Sequence, residues 1–124
     1  MKVYYDKDAD LDNIKNLSVT IIGYGSQGHA HALNLKESGV NVTVGLREGS
    51  SNFKRAQKEG LNVLPIKESV TEADIVMILA PDEYQASLFT ESIEPYLKDS
   101  AMLAFAHGFN IHFGQIKPDT KHDV

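Results

Sequence analysis

The sequence predicts an α/β domain built on a doubly wound parallel sheet, and three observations predict it. Short β-branched apolar runs alternate with helical stretches along most of the chain, the rhythm of consecutive βαβ units. The run at 75–80, I-V-M-I-L-A, is apolar at every position, as suits a central strand covered on both faces. The 124 residues, 42% apolar and 23% charged, suffice for one buried core but not for two full domains.

The elements follow in order. Asp6, Asp8, Asp10 and Asp12 imitate the start of a calcium loop, but its sixth and twelfth positions, which need Gly and Glu, hold Leu11 and Leu17. Asp10 or Asp12 is instead expected to cap a short helix through residue 17. The first strand is expected at 17–22, L-S-V-T-I-I, stopped by Gly23. A helix follows over 27–38, with Ala30, Leu33 and Leu35 on its apolar face and Gly39 at its left-handed end. Residues 40–46 read as the second strand, 52–59 as a helix closed by Gly60, and 61–64 as a short third strand before Pro65. A short helix at 66–73 leads into the central run at 75–80. After Pro81 and Asp82 a helical stretch continues to about residue 97, interrupted near Pro95, and 101–106 gives the fifth strand. Beyond His107 and Gly108 the pattern dissolves into a polar tail. A six-stranded dinucleotide fold needs one more strand, so the sheet is expected to be truncated near the sixth.

Composition excludes several functions. A net charge of −5 argues against a nucleic-acid backbone as partner, since that requires a basic face. No run has the length of a membrane span, and residues 1–10 lack the apolar segment of a signal peptide. With no cysteine there is neither a disulfide framework nor a thiolate metal site. A cytoplasmic location is the expectation.

Gly23-Tyr24-Gly25-Ser26-Gln27-Gly28 is a complete G-x-G-x-x-G placed between a strand and a helix, within a βαβ unit. Gly23 permits the sharp turn, Gly25 admits the pyrophosphate, and Gly28 lets the helix pack against the strand. Unpaired N–H groups at the helix start then face the phosphates. The motif in this setting predicts a Rossmann-type dinucleotide fold. At the end of the second strand an NAD site usually carries a carboxylate, but here Arg47 takes that place, followed by Ser50, Ser51 and Asn52 at a new helix start. A guanidinium with small donors suits a 2′-phosphate, which favours NADPH. Glu48 adjoins Arg47, and in extended chain only one of the two can face the ribose. His29 and His31 diverge on a helix and cannot share a metal; His29 is expected near the phosphates and His31 packed or solvated. Asp82 and Glu83 read as a helix cap with favourable dipole placement.

The stretch from Gly23 to Leu35, G-Y-G-S-Q-G-H-A-H-A-L-N-L, resembles the signature of ketol-acid reductoisomerase, and Phe105 to His112, F-A-H-G-F-N-I-H, agrees with the same family. Val3-Tyr4-Tyr5-Asp6, Val44-Gly45-Leu46-Arg47 and Leu79-Ala80-Pro81-Asp82-Glu83 extend the likeness over nearly the whole chain. The resemblance implies that residues 1–124 are the N-terminal NADP-binding domain of an enzyme that converts acetohydroxy acids to dihydroxy acids in valine, isoleucine and leucine biosynthesis. It implies cofactor contacts at Tyr24, Gly25, Ser26 and Gln27, 2′-phosphate contacts at Arg47, Ser50 and Asn52, and further contacts at Asp82, Glu83, Tyr84 and Gln85. It implies two Mg²⁺ ions held by a helical C-terminal domain that this chain lacks, a homo-oligomeric full-length enzyme, and an inactive isolated fragment. His107 follows the fifth strand, at the carboxyl edge where open α/β sheets bind ligands, and a histidine there can exchange protons near neutral pH. Position alone leaves His107 structural or functional; the resemblance makes it the active-site histidine.

Two other functions fit the same fold. A stand-alone dinucleotide-sensing regulatory module is disfavoured by the truncated sixth strand and the His107 segment. An NADPH-dependent hydroxyacid dehydrogenase lacks the stretch from Phe105 to His112.

Overall fold

The computed structural model describes residues 1–124, the side chain of Asp6 excepted. Five strands form one parallel sheet: β1 Ser18–Ile22, β2 Asn41–Leu46, β3 Asn62–Pro65, β4 Ile75–Ile78 and β5 Met102–Phe105. Their order is β3-β2-β1-β4-β5, so the chain winds outward from β1 to one edge, then crosses back to wind toward the other. The sheet is the doubly wound, Rossmann-type arrangement that the alternation predicts.

Strand alternation sorts the core into two layers. Val19, Ile21, Val42, Val44 and Val63 pack with Ala32 and Ala56, which belong to helices α2 (Ser26–Glu37) and α3 (Ser51–Lys58). Ile22, Val76, Ile78 and Leu103 pack on the opposite face with Ile66 and Val70 of helix α4 (Ile66–Thr71) and with Phe89 and Ile93. Below the sheet, at the amino ends of the strands, the Asp74 carboxylate accepts the Ser18 N–H at 2.8 Å and pairs with Lys98 at 3.1 Å. The Ser18 hydrogen bond first, then Lys98, holds Asp74 below the usual carboxylate range.

Three elements depart from the sequence-based expectation. Near the N-terminus, helix α1 is only Asp12–Lys15, opened by the Asp10 side chain accepting the Asp12 N–H at 3.0 Å; a single turn has too few internal bonds to run on to residue 17. The helix after β4, α5, is Asp82–Leu88; it widens into a π turn at Phe89–Ile93 and tightens into a 3₁₀ turn at Glu94–Tyr96. The disruption starts well before Pro95 because proline withholds its N–H and its ring crowds the carbonyl four residues back. Finally, the polar tail is structured. It contains helix α6, Phe109–His112, then a buried Ile116, and it returns to β5, where Leu103 N donates to the Asp123 carbonyl at 2.8 Å and His122 Nδ1 lies 2.9 Å from the Ala101 carbonyl. Isolated buried residues leave no periodicity to read.

Candidate functional site

The strands β1 and β4 are neighbours whose following helices cover opposite faces, and a cleft opens between their carboxyl ends. The Gly23 N–H donates to the Gly45 carbonyl at 3.2 Å and the Leu79 N–H to the Ile22 carbonyl at 2.9 Å, which closes the floor. The cleft measures about 930 Å³ and is walled by the glycine loop, the turn after β2, the segment from Leu79 to Asp82, the inner side of α5 with its π turn, and His107.

The glycines divide the work. Gly23 has φ +102°, and a Cβ there would lie 3.0 Å from the Leu79 carbonyl oxygen. A Cβ on Gly28 would lie 2.3 Å from the Gly23 carbonyl oxygen, so Gly28 is what lets α2 sit against the turn; it packs behind the cleft rather than lining it. Gly25 differs, since its Cβ position has nothing within 4 Å. It is the point of open approach. Helix α2 begins at the next residue with no side-chain cap, and its first backbone bond is His29 N to the Gly25 carbonyl. The N–H groups of Ser26 and Gln27, which line the cleft, are therefore available to an anion, with the helix dipole favouring negative charge.

Tyr24 borders the cleft, but the residue is only 2% exposed and its hydroxyl donates to Glu59; burial first, and then the Glu59 carboxylate, push the phenol up from its ordinary range. Glu59 is correspondingly held low, by the Tyr24 hydrogen bond first and by His29 and Arg55 besides. His29 Nε2 lies 3.3 Å from Glu59 Oε2, and its ring meets the Tyr24 ring edge-on at 5.5 Å. His29 therefore belongs to this cluster behind the loop and not to the cleft lining, which corrects the placement near the phosphates. His31 is half-buried on α2.

Arg47, Ser50 and Asn52 come together in the cleft wall at the carboxyl end of β2. Ser50 caps α3: its hydroxyl oxygen accepts the Asn52 N–H at 3.3 Å, which leaves the hydroxyl proton free to donate outward. Arg47 also borders an adjoining hollow of about 360 Å³, and Glu48 lines only that hollow. Only Arg47 of the pair reaches the main cleft; the cause is a turn rather than extended alternation, since the chain bends at Glu48 and Gly49 with the Ser50 N–H donating to the Arg47 carbonyl at 3.1 Å.

Of the four residues expected after β4, Asp82 and Tyr84 line the cleft, and Glu83 does not. Gln85 is 3% exposed; its Nε2 donates to the Ala80 carbonyl at 2.7 Å and to Asp82 Oδ1 at 3.2 Å. Its Oε1 accepts from Asn110 Nδ2 at 3.1 Å, and Asn110 also donates to the Asp82 carbonyl at 3.0 Å. Gln85 is a buried brace, not a side chain open to a ligand. Four consecutive residues of a helix sweep a full turn, so they cannot all face one cleft. Asp82 and Glu83 occupy the first turn of α5, where the dipole favours them, but neither makes a side-chain cap. Ser87, Leu88, Glu91 and Ser92 also wall the cleft; they follow Tyr84 at three, four, seven and eight residues, the spacing of one helix face, and that spacing was the signal that could have found them.

His107 lines the cleft with its side chain 69% exposed. The Phe109 N–H donates to His107 Nδ1 at 3.3 Å, and Asp82 Oδ2 lies 3.4 Å from the same nitrogen. Nδ1 thus meets a backbone N–H and a carboxylate oxygen, and these two contacts fix how the ring stands at the cleft. Among the described residues no three His, Asp or Glu side chains are grouped to hold a metal ion, and no helix is long and apolar enough to cross a membrane.

Residues 13–124 match the family described as acetohydroxy acid isomeroreductase, NADPH-binding domain. An NADH-preferring ketol-acid reductoisomerase from an uncultured archean superposes with a TM-score of 0.92 at 37% identity, over 98% of this chain and 38% of that one. A semialdehyde dehydrogenase NAD-binding protein from Cupriavidus necator gives a TM-score of 0.75 at 20% identity, over 86% of this chain and 39% of that one. A D-isomer specific 2-hydroxyacid dehydrogenase from Lactobacillus delbrueckii ssp. bulgaricus gives 0.60 at 22% identity, over 92% and 36%. The last two carry the fold alone. The chain spans little more than a third of the length of each of these structures.

Proposed function

Since this chain belongs to the acetohydroxy acid isomeroreductase family, as its NADPH-binding domain, we propose that it holds the nicotinamide cofactor of a ketol-acid reductoisomerase and prefers NADPH. The observation that carries the reading is the open approach at Gly25 to the bare N-terminus of α2, with Arg47, Ser50 and Asn52 in the same cleft wall. The N–H groups of Ser26 and Gln27 would hold the pyrophosphate, and Arg47, the Ser50 hydroxyl proton and the Asn52 amide would hold the 2′-phosphate. Asp82 and Tyr84 border the cofactor on the β4 side. Bound there, the cofactor supplies the hydride that completes reduction of an acetohydroxy acid to a dihydroxy acid, in branched-chain amino-acid biosynthesis.

His107 holds or passes a proton at the substrate oxygen, with Asp82 and the Phe109 N–H orienting its ring. In this reading, as the family resemblance implies, the Mg²⁺ ligands of the alkyl migration belong to the rest of the enzyme, and the domain alone turns over no acetohydroxy acid. The full enzyme acts in the cytoplasm as a homo-oligomer. A stand-alone sensing role has no support from the family match.

The 37% identical relative prefers NADH, so the turn at 47–52 is where preference has to be tested. Titration of this chain should show NADPH binding at least about tenfold tighter than NADH, with Arg47→Ala removing the difference at a cost of about 1.5–3 kcal/mol to NADPH alone. Equal loss of both cofactors would overturn the 2′-phosphate assignment and leave dinucleotide binding standing.

A further inference from the structure

The glycine loop is anchored from behind. Tyr24 stands between Gly23 and Gly25, so it adds a side-chain tie to the backbone bond that Gly23 N–H makes to the Gly45 carbonyl. That ring is buried in the core layer under α2 and α3, and its hydroxyl reaches Glu59. Glu59 immediately follows α3, where the helix dipole disfavours a carboxylate. Three more groups converge on it. His29 Nε2 lies 3.3 Å from Oε2, Arg55 Nε lies 3.5 Å from Oε1, and Lys36 Nζ donates to the Glu59 backbone carbonyl at 2.9 Å. The Arg55 guanidinium also lies over the Tyr24 ring, 5.7 Å from its centre. His29 and Lys36 belong to α2, so residue 59 joins the helix that starts at the glycine loop to the helix that starts beside Arg47.

We propose that Glu59 is a positioning residue for the dinucleotide: through the Tyr24 hydroxyl it holds the glycine loop in its phosphate-binding shape before the ligand arrives. The inference rests on the dinucleotide reading above. An unanchored loop containing two glycines samples many conformations and must give them up on binding; an anchored one has already given them up during folding. The benefit falls on the pyrophosphate, which NADPH and NADH share, and is therefore separate from the discrimination supplied by Arg47.

The test compares wild-type chain with Tyr24→Phe, Glu59→Ala and Glu59→Gln, each titrated with NADPH and with NADH well below its own melting temperature, so that loss of fold does not enter the dissociation constant. Tyr24→Phe and Glu59→Ala should each weaken both cofactors by the same factor, roughly fivefold to twentyfold. Glu59→Gln should recover most of the affinity, because its amide oxygen still accepts the phenol O–H. A Tyr24→Phe variant that binds as tightly as wild type overturns the proposal and leaves the dinucleotide reading intact. So does a loss confined to NADPH, or a Glu59→Gln variant as weak as Glu59→Ala. Wild-type chain that binds neither cofactor refutes both readings together.

Discussion

Gly28 and Gly25 lie three residues apart and should respond to the same substitution in opposite ways. In Gly28→Ala the new Cβ would sit 2.3 Å from the Gly23 carbonyl oxygen and 2.9 Å from its carbonyl carbon. A normal contact needs about 1 Å more, and neither partner is a side chain that can swing aside. Gly23 cannot retreat, because its N–H is bound to the Gly45 carbonyl and the Leu79 carbonyl oxygen stands only 3.0 Å from where its own Cβ would lie. Helix α2 must therefore lift off β1, at about 3 kcal/mol by the upper end of overpacking costs, which for a domain of this size lowers Tm by roughly 10 °C or more. In Gly25→Ala the added methyl meets nothing within 4 Å, and the residue's φ of −78° suits any side chain. Stability should change by less than about 0.5 kcal/mol, while dinucleotide affinity falls more than about tenfold because the methyl stands where the pyrophosphate approaches. Thermal and urea melts with NADPH titration of both variants decide it. A Gly28→Ala protein that melts like wild type, or a Gly25→Ala protein that loses stability but not affinity, would refute this division of roles.

Gln85→Ala should cost about 2–4 kcal/mol in urea melts, since it leaves the Ala80 carbonyl and the Asn110 amide short of partners around a new cavity; a cost under about 1 kcal/mol would remove its bracing role. The folded Asp74 carboxyl is held low, so it binds protons less readily than the unfolded one: its contribution to stability is whole above the unfolded carboxylate range and is lost as pH falls through the folded value. Urea midpoints followed from neutral pH to about pH 2 should decline less steeply in Asp74→Asn, and parallel curves would contradict this. In the full-length enzyme, His107→Gln should lower kcat by about 10²–10⁴-fold with NADPH affinity within a few-fold. An unchanged rate takes His107 out of the active site.

The strands and the glycine loop were legible because their signals are local. Short apolar runs, β-branched in the early strands and unbroken at 75–80 and 101–106, mark β1 to β5, and the strand–glycine–helix order marks the turn at Gly23. Side-chain direction was not legible. Tyr24 and His29 turn away from the cleft because their partner, Glu59, lies 35 and 30 residues along the chain, a pairing no motif encodes. Gln85 turns inward because of helical phase and Asn110, 25 residues on. The tail's return was equally hidden, since Ile116 and His122 are buried singly within a polar stretch.

That return alters what the outer edge of β5 can do. A parallel sheet that ends on a bare strand offers its amides as a template to any other chain, and charged or covered edges are how proteins discourage such pairing. Here the Leu103 amide is already engaged by Asp123, His122 covers the Ala101 carbonyl, and Lys121 pairs with Asp99 at 2.6 Å beside them. The segment 121–124 therefore covers the amino end of this edge. Chains clipped before Lys121 should lose that cover and cluster as their concentration rises, even though their sheet, cleft and glycine loop remain whole.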